Sequence, residues 1–382
     1  MRILHCCLAC FYNEDYNYQE NLLPRQNKQD GHEVWILAST EVFQNNKEIG
    51  YIEPQTYTNK EGIKVVRVPY RRIFNDQISH KIRSYKGVYS ILEEFEPDVI
   101  LFHGMGAWEL KNIVKYVKKN NVKLYIDNHS SLLNSGKSRL SREILHGIFY
   151  KNILKRALPV TEKILCIAMD EYDMAKTVYR VPEDKLELWP LGGTIYSDNE
   201  YDRRRHVCRK QLGISEDKII FLHSGKMDKL KKTCELLSAF HEVSDGKFIL
   251  LIVGELLQNI EAEAKKLIEA DRRICYLGWK SGSELYDLLM AADIYIQPGN
   301  MSATMQNAMC CRCAVVVQPT EIYKYFLGED GIYVKTQEDI RRVLEDLSKN
   351  PERINEVRKK HFKRACEVLD YKQIAARLYE GR

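Results

Sequence analysis

With 382 residues, the chain is long enough for two domains of ordinary size, and its 45% hydrophobic and 29% charged residues are typical of a globular protein. No apolar run approaches the roughly 20 residues that span a bilayer, and the short apolar start lacks a secretory cleavage pattern. We therefore expect a cytoplasmic protein, in which the 11 cysteines are reduced thiols. The net charge of +5 is uneven: residues 111–156 hold 11 basic side chains against two acidic ones, which favours an anionic ligand, an anionic membrane surface or simply solvated helix faces.

The first half alternates short apolar runs with amphipathic helices. The predicted helices include 84–95 and 138–158, and the predicted strands are 2–9, 33–39, 63–70, 98–103, 122–127 and 163–168. Strands that are apolar throughout and separated by helices indicate parallel sheets covered on both faces.

A turn-rich segment with Pro190 and Gly192-Gly193 precedes a polar, charged stretch, so we place a hinge near 190–200. The strand–helix pattern then restarts, and residues 351–382 are predicted to form terminal helices. The predicted strands of the second half are 219–225, 248–254, 273–278, 293–299 and 314–319. The fold class is therefore α/β, with two doubly wound αβα domains whose ligands bind outside the carboxyl ends of the strands.

Two of these strand ends have the chemistry of a phosphate site. Gly225 ends one strand, and Lys226 and Lys231 in the following loop could converge on a diphosphate, although a solvated lysine loop is the alternative. At the other strand end, Gly299 is followed by Ser302 and Thr304 near the start of a predicted helix, where hydroxyl and N–H groups attract phosphate. Together they predict a nucleotide-diphosphate pocket.

Seven motifs occur in the order found in one enzyme family. They are DGHEVWILAS (30–39), EPDVILFHG (96–104), residues 162–193, GKMDKLKKTCELLSAF (225–240), LIVGE (251–255), residues 276–298 and NAMCCRCAVVV (307–317). On these the chain resembles the retaining glycosyltransferases of family 4, also called glycosyl transferases group 1. The resemblance implies the GT-B architecture, in which two Rossmann-like αβα domains flank an interdomain cleft. It implies an acceptor domain over 1–192, a nucleotide-sugar domain over 193–364 and a C-terminal helix over 365–382 that crosses back.

The resemblance also implies roles for single residues. Lys226 and Lys231 match the basic pair on the donor diphosphate, where they would neutralise the leaving group without a metal. His129 matches a histidine that faces the donor sugar, against the alternative of a structural histidine. Gly225, Gly299, Ser302 and Thr304 would contact the donor. Asp127 is expected beside His129, without an assigned role.

Some positions depart from the family pattern. The paired glutamates of its E-x7-E motif are missing, and Gln306 or Asn307 is the candidate to hydrogen-bond the ribose instead. The glycine-rich loop after the first strand is also absent. We therefore assign acceptor contacts to Tyr16 and Tyr18, with Asn17 and Gln19 as further candidates in the same loop; His103, at the strand end next to that of His129, is a further candidate for a sugar contact. Cys310 and Cys313 are spaced like zinc ligands but lack two partners, so we interpret them as packing residues.

These observations predict a retaining glycosyltransferase that uses a UDP- or GDP-sugar, binds no cofactor or metal, and acts on a glycan or lipid-linked acceptor in bacterial surface polysaccharide biosynthesis. The alternatives are an inactive nucleotide-sugar-binding relative, or an epimerase or phosphorylase of the same fold. We expect the protein in the cytoplasm, with peripheral contact to the inner face of the membrane through helix 138–158 as one possibility and core packing of that helix as the other. Nucleic acid is not an expected partner, because the basic residues lack interleaved stacking aromatics.

Overall fold

The computed structural model describes residues 1–14, 16, 18–43, 48–73, 75–131, 135, 138–139 and 141–380. The chain divides into two compact units. The first unit runs from Met1 to Pro190 and includes the segment from Ala375 onward, and the second unit runs from Leu191 to Ile374. Each unit is an αβα structure built on its own parallel sheet.

The first unit contains an eight-stranded sheet with the order β10-β9-β8-β7-β1-β2-β6-β5, and a separate hairpin of β3 and β4. All neighbours in the large sheet are parallel except β5 and β6. The strands are β1 (Arg2–Cys7), β2 (Glu33–Ser39), β3 (Glu41–Phe43), β4 (Ile49–Tyr51), β5 (Thr56–Thr58), β6 (Lys64–Val68), β7 (Val99–His103), β8 (Lys123–Asn128), β9 (Thr161–Cys166) and β10 (Leu186–Leu188).

Helices cover this sheet. They are α1 (Gln19–Gln29), α2 (Asp76–Ile82), α3 (Val88–Phe95), α4 (Leu110–Asn120), a π-helix (Ser141–Tyr150), α5 (Lys151–Ala157), a 3-10 turn (Leu158–Val160), α6 (Met169–Thr177) and a second 3-10 turn (Glu183–Lys185). Helix α4 shows why the layers adhere: Leu110, Ile113, Val114 and Val117 recur at helical spacing and are all buried. Each such side chain stabilises the fold by roughly 1.5–3 kcal/mol relative to an exposed one.

The second unit contains a six-stranded, fully parallel sheet with the order β13-β12-β11-β14-β15-β16. Its strands are β11 (Ile219–Met227), β12 (Phe248–Leu256), β13 (Ile274–Gly278), β14 (Ile294–Gln297), β15 (Ala314–Val317) and β16 (Ile332–Tyr333). Every residue of β14 and β15 is buried, as expected for central strands with helices on both faces.

The helices of the second unit follow the strands in alternation. They are α7 (Asp198–Leu212), a 3-10 turn (Lys229–Lys231), α8 (Thr233–Glu242), α9 (Glu261–Glu269), α10 (Gly282–Ala291), α11 (Thr304–Cys310), α12 (Glu321–Leu327), a 3-10 turn (Gly328–Asp330), α13 (Gln337–Lys349), α14 (Glu352–Val368) and α15 (Tyr371–Ala376), the last of which spans the division between the units. In the described part of the chain, no helix is both long and apolar enough to cross a membrane.

The predicted α/β fold class and all eleven predicted strands are confirmed, with ends that differ by up to two residues. The short strands β3, β4, β5, β10 and β16 are missed because two or three residues carry too little periodicity. The predicted domain ends need correction. The units divide after Pro190 instead of residue 192, and the second unit extends to Ile374 instead of residue 364, because the Gly193 N–H donates to the Leu369 carbonyl oxygen and the Tyr371 N–H donates to the Gly193 carbonyl oxygen of the same unit.

Candidate functional site

The carboxyl ends of β7 and β8 bring a charged network together in the first unit. These strands are parallel neighbours with His103 opposite Asp127, and His129 follows two residues later. His103 Nδ1 lies 2.5 Å from Asp127 Oδ2, and His129 Nε2 lies 3.2 Å from the same oxygen. The other oxygen, Asp127 Oδ1, accepts a hydrogen bond from the Gly104 N–H at 2.8 Å. One buried carboxylate therefore holds two histidines.

His5 of β1 extends this network into the core. Its Nδ1 lies 3.1 Å from His103 Nε2, and its Nε2 lies 2.9 Å from Asn27 Oδ1. Because the Asn27 oxygen can only accept, His5 donates from Nε2 and accepts at Nδ1 from His103. His103 then donates from both ring nitrogens, to His5 and to Asp127, and is an imidazolium.

The pKa values agree with this arrangement. Burial and the neighbouring His103 lower the pKa of His5 to about 3, so it is neutral. Burial also opposes charge on His103 and His129, but the attraction of Asp127 outweighs it and raises the pKa of His103 to about 10 and that of His129 to about 9. Burial alone would raise the pKa of Asp127, but the two histidines hold it well below its usual range. At neutral pH the network carries two cations and one anion.

The two histidines differ in exposure. His103 is fully buried, whereas the side chain of His129 is 27% exposed. The prediction that His103 contacts a sugar therefore needs correction, because both of its ring nitrogens face protein groups. His103 is instead a positioning residue for Asp127 and, through Asp127, for His129. His129 keeps an accessible edge at the sheet end, where it was expected.

Three possible metal ligands lie close together, two of them within this network. Ligand atoms of Glu20, in the first turn of α1, and of His103 and His129 lie within 4.8 Å of one another. A cation bound here would have to break a hydrogen bond of His103, which uses both nitrogens. The group therefore fits a hydrogen-bonding network better than a metal site, and Glu20 adds negative potential that favours the charged form of His129.

The phosphate-site candidates of the second unit lie at the ends of β11 and β14. Gly225 has φ +134°, a conformation that other residues rarely adopt. A Cβ atom on Gly299 would lie 2.1 Å from the carbonyl oxygen of Leu230, so only glycine fits against the 3-10 turn. The N–H of the next residue, Asn300, donates to that same oxygen at 2.8 Å. The loop after β14 is thus held against the turn after β11.

The two predicted lysines have different environments. Lys231 is 9% exposed, and its Nζ donates to the carbonyl oxygens of Asn300 and Met301 at 3.3 and 2.9 Å, so it joins the two loops. Burial lowers its pKa, although Asp228 acts in the opposite direction. Lys226 is exposed at the end of β11, in register with Glu255 of β12. The structure thus places both lysines around Gly225.

Ser302 and Thr304 lie where the sequence predicts, immediately before and at the start of α11. The Ser302 N–H donates to the Tyr323 hydroxyl at 2.7 Å, and its hydroxyl accepts from Tyr295 at 3.3 Å. Two buried tyrosines therefore fix the loop, and sequence reasoning missed both because an isolated tyrosine in an apolar segment gives no signal.

The ribose candidates Gln306 and Asn307 already have hydrogen-bond partners within the second unit. Gln306 is 7% exposed, and its Oε1 accepts a hydrogen bond from the Gly192 N–H at 2.7 Å. Asn307 Oδ1 accepts from the Tyr286 hydroxyl at 2.9 Å. Both amide oxygens hold protein groups within the second unit, and the ribose contact of Gln306 or Asn307 stays a prediction.

The acceptor candidates in the loop before α1 differ in their environments. Tyr16 and Tyr18 contact each other edge-on at 5.2 Å between ring centroids, and Tyr18 is 55% exposed. Gln19 is buried and donates to the Pro190 carbonyl oxygen at 3.3 Å, so it has a structural role. Asn17 lies outside the described residues.

The three neighbouring cysteines are buried in the second unit. Cys310, Cys311 and Cys313 are at most 2% exposed, and Cys313 Sγ lies 3.1 Å from the Leu289 carbonyl oxygen. Burial raises the pKa of all three thiols, which keeps them protonated. They are packing residues.

Comparison with solved structures defines the fold. Similar structures include sucrose-phosphate synthase from Thermosynechococcus elongatus (14% identity, TM-score 0.65, 98% of this chain and 96% of that one). They also include Anabaena Alr3699/HepE in complex with UDP (14% identity, TM-score 0.65, 100% of this chain and 99% of that one). A third is WaaG, a glycosyltransferase involved in lipopolysaccharide biosynthesis (14% identity, TM-score 0.62, 100% of both chains). The fold is therefore that of the GT-B glycosyltransferases, which confirms the expected architecture.

Two family models identify the chain more closely. The model "Glycosyltransferase Family 4" matches residues 19–192, and "Glycosyl transferases group 1" matches residues 205–364. A sequence search of curated proteins finds no match. The chain belongs to the family 4 and group 1 glycosyltransferases, as the motifs predicted, and it is an enzyme that transfers sugars.

Proposed function

We propose that the protein transfers a sugar from a nucleotide-sugar, either a UDP- or a GDP-sugar, to a glycan or lipid-linked acceptor with retention of anomeric configuration. The structures of Alr3699/HepE with UDP and with UDP-glucose support a nucleotide-sugar donor for this fold. The description of WaaG supports a role in bacterial surface polysaccharide biosynthesis. The cytoplasm, at the inner face of the membrane, is the place where such an enzyme meets both substrates.

The observation that carries this proposal is the pairing of Lys226 and Lys231 around Gly225. Lys231 fixes the two loops, and Lys226 presents an exposed cation beside a glycine that permits close approach of a diphosphate. Two positive charges can offset the negative charge that develops on the leaving nucleoside diphosphate. In metal-dependent enzymes, a bound metal ion has this role. We therefore propose metal-independent transfer. Ser302 and Thr304 are the proposed hydroxyl contacts of the same diphosphate.

His129 is proposed to act on the donor sugar. With its pKa raised to about 9, it is protonated at neutral pH and donates a hydrogen bond to a sugar hydroxyl instead of acting as a base. In the reaction, the bond from the anomeric carbon to the diphosphate oxygen breaks and a bond to the acceptor hydroxyl oxygen forms. The hydroxyl proton leaves with the nucleoside diphosphate, whose new oxygen charge can take it.

The test is a donor screen with UDP-, GDP- and ADP-sugars. Ligand well above its dissociation constant should stabilise the protein by about 1–3 kcal/mol, seen as a thermal shift. Transfer or slow donor hydrolysis should continue in EDTA, and NMR of the product should show the donor's anomeric configuration. Absence of turnover with every donor would contradict the proposed function.

Membrane contact is proposed through the π-helix and α5. One face packs inward through Tyr150, Ile153 and Leu154, whereas Ile144 and Ile148 are 53% and 57% exposed. The exposed patch also contains Trp108, with the ammonium of Lys111 3.1 Å from its ring centroid, and Arg156. Exposed apolar side chains ringed by cations suit the headgroup region of an anionic bilayer.

Vesicles containing phosphatidylglycerol test this contact. Replacing Ile144 and Ile148 with glutamine should lower vesicle binding while donor binding stays intact. The matched control is Val207→Gln, which changes an apolar residue of the second unit that is 42% exposed. Equal vesicle binding by the double variant and the control would contradict membrane contact.

A further inference from the structure

A cavity of about 470 Å³ in the first unit lies outside the histidine network. Its wall comes from the loop after β1, from β3 and β4, from the end of α2 and from the π-helix. Ser130, the residue after His129, lines its edge. The cavity is therefore adjacent to the histidine proposed to act on the donor sugar, and its volume suits a sugar with a charged substituent.

Arg83 provides a fixed cation in this cavity. It follows α2 in a left-handed conformation with φ +55°, and its Nη1 donates to the carbonyl oxygens of Ala9 and Gly106 at 2.5 and 3.4 Å. Among the described residues, no carboxylate lies within 4.0 Å of its guanidinium, and its Nε and Nη2 donate to no protein acceptor. A guanidinium anchored on one side by carbonyls offers its other edge to an oxyanion.

One carboxylate oxygen of Glu41 lacks a hydrogen-bond donor among the described residues. It is 5% exposed, and its Oε1 accepts from the Tyr51 hydroxyl at 3.4 Å. Its Oε2 is buried and has no hydrogen-bond partner in the described part of the chain. Leaving a buried carboxylate oxygen unpaired is costly, so a ligand hydroxyl that donates to it would be favoured.

The remaining polar groups of the cavity strengthen the preference for an anion with hydroxyl groups. Lys81 is exposed, lines the cavity and has no ion-pair partner among the described residues. His146 is neutral, because burial lowers its pKa and its Nδ1 pairs with the Tyr179 hydroxyl at 2.6 Å. Two cations without an ion-pair partner among the described residues thus line the same cavity as one carboxylate, with Ser130 and Ser141 as hydroxyl groups of the same lining.

The π-helix connects this cavity to the exposed apolar patch. Leu145, His146 and Tyr150 line the cavity, whereas Ile144 and Ile148 of the same helix belong to the patch. A ligand with a charged head and an apolar tail could therefore place its head in the cavity while its tail stays in lipid.

We propose that this cavity binds the acceptor, and that the acceptor is a lipid-linked sugar phosphate whose phosphate oxygens pair with Arg83 and Lys81 and whose sugar hydroxyl donates to Glu41. This inference rests on the proposed function, because it names the chemical class of the molecule that receives the sugar. Phosphate matches a guanidinium and an ammonium on one wall better than a neutral sugar does.

Calorimetry on the full chain tests the proposal with defined probes. These are glucose 1-phosphate, methyl glucoside as its neutral counterpart, and a polyprenyl diphosphate sugar in phosphatidylcholine vesicles. The variants are Arg83→Gln, the exposed and structurally milder Lys81→Gln, and Glu41→Gln. The control is Arg72→Gln, which removes an exposed cation of the same unit outside the cavity.

The wild-type protein should bind the sugar phosphate about tenfold or more tightly than the glucoside, and the lipid-linked probe more tightly still. Arg83→Gln should weaken binding of the sugar phosphate about tenfold, and Lys81→Gln should weaken it about threefold. Glu41→Gln should weaken binding of both the sugar phosphate and the glucoside. The control should bind both probes like the wild type. Equal binding of charged and neutral sugars, or unchanged binding in both cation variants, would overturn the proposal. Tighter binding of the soluble phosphate than of the lipid-linked probe would overturn its lipid part. Donor binding by wild type, measured in parallel, reports on the proposed function separately.

Discussion

Replacing Asp127 with asparagine tests the histidine network most severely, since the two side chains have nearly the same shape and differ in charge. A pKa of about 10 for His103, against an ordinary value of 6.5, corresponds to several kcal/mol of preference for the charged folded form, at about 1.4 kcal/mol per pKa unit. Removing one partner of a buried ion pair costs about 3–5 kcal/mol. We expect Asp127→Asn to lower the free energy of unfolding at pH 7 by about 3 kcal/mol, because His103 can respond by losing its proton.

The direction of each pKa shift determines how the free energy of unfolding changes with pH. The pKa of His103 is raised on folding, so its contribution is fully present below pH 6.5 and is lost as the pH rises towards 10. The pKa of Asp127 is lowered on folding, so its contribution is present above its ordinary pKa and is lost as the pH falls. Wild-type stability should therefore decline between pH 7 and 10, and this decline should be much smaller in Asp127→Asn.

Urea unfolding at several pH values measures both quantities, and NMR of the imidazole protons follows His129 directly. The control is Asp98→Asn, which changes an exposed carboxylate just before the start of β7. A stability loss no larger than that of the control, or an unchanged titration of His129 near pH 9, would refute the ion-pair network.

Three further outcomes are expected. Gly299→Ala should weaken donor binding about tenfold or more in a thermal-shift titration, since its Cβ would lie 2.1 Å from the Leu230 carbonyl oxygen; normal donor affinity would contradict the loop packing. Transfer rates should fall as the pH rises through about 9, where His129 loses its proton, and a rate that rises there would indicate a catalytic base instead. Transfer by protein dialysed against EDTA should match that of untreated protein, and restoration of a lost rate by Mg²⁺ would contradict metal-independent chemistry.

The fold could be predicted from the sequence because buried parallel strands are apolar throughout and the helices between them are amphipathic. The positions of the glycines and lysines of the second unit were also predictable, because Gly225, Gly299 and Lys231 follow or end apolar strands, whereas their contacts with a donor stay a prediction. Short strands such as β3 and β10 were not, since they depend on neighbours far away in the chain.

The network around Asp127 shows what the sequence could not provide. His5 lies in an apolar strand and Asn27 in a helix, and only the order of β1, β7 and β8 in the sheet brings them to His103. The partners of Gln306 and Asn307 within the second unit have a similar origin. An amide in the right place in the sequence predicts hydrogen bonding, but its partner depends on tertiary contacts.

The central claim is that the exposed cation at the end of β11 acts on the leaving diphosphate, and one comparison tests it most directly. Lys226→Met and Lys229→Met remove exposed lysines from the end of β11 and from the turn that follows it, so their structural effects should be similar. With the donor that gives the largest thermal shift, Lys226→Met should lower kcat/KM for transfer about 100-fold, as loss of one group that stabilises transition-state charge typically does. Lys229→Met should stay within about twofold of wild type. Equal rates for the two variants would contradict the proposed role of Lys226.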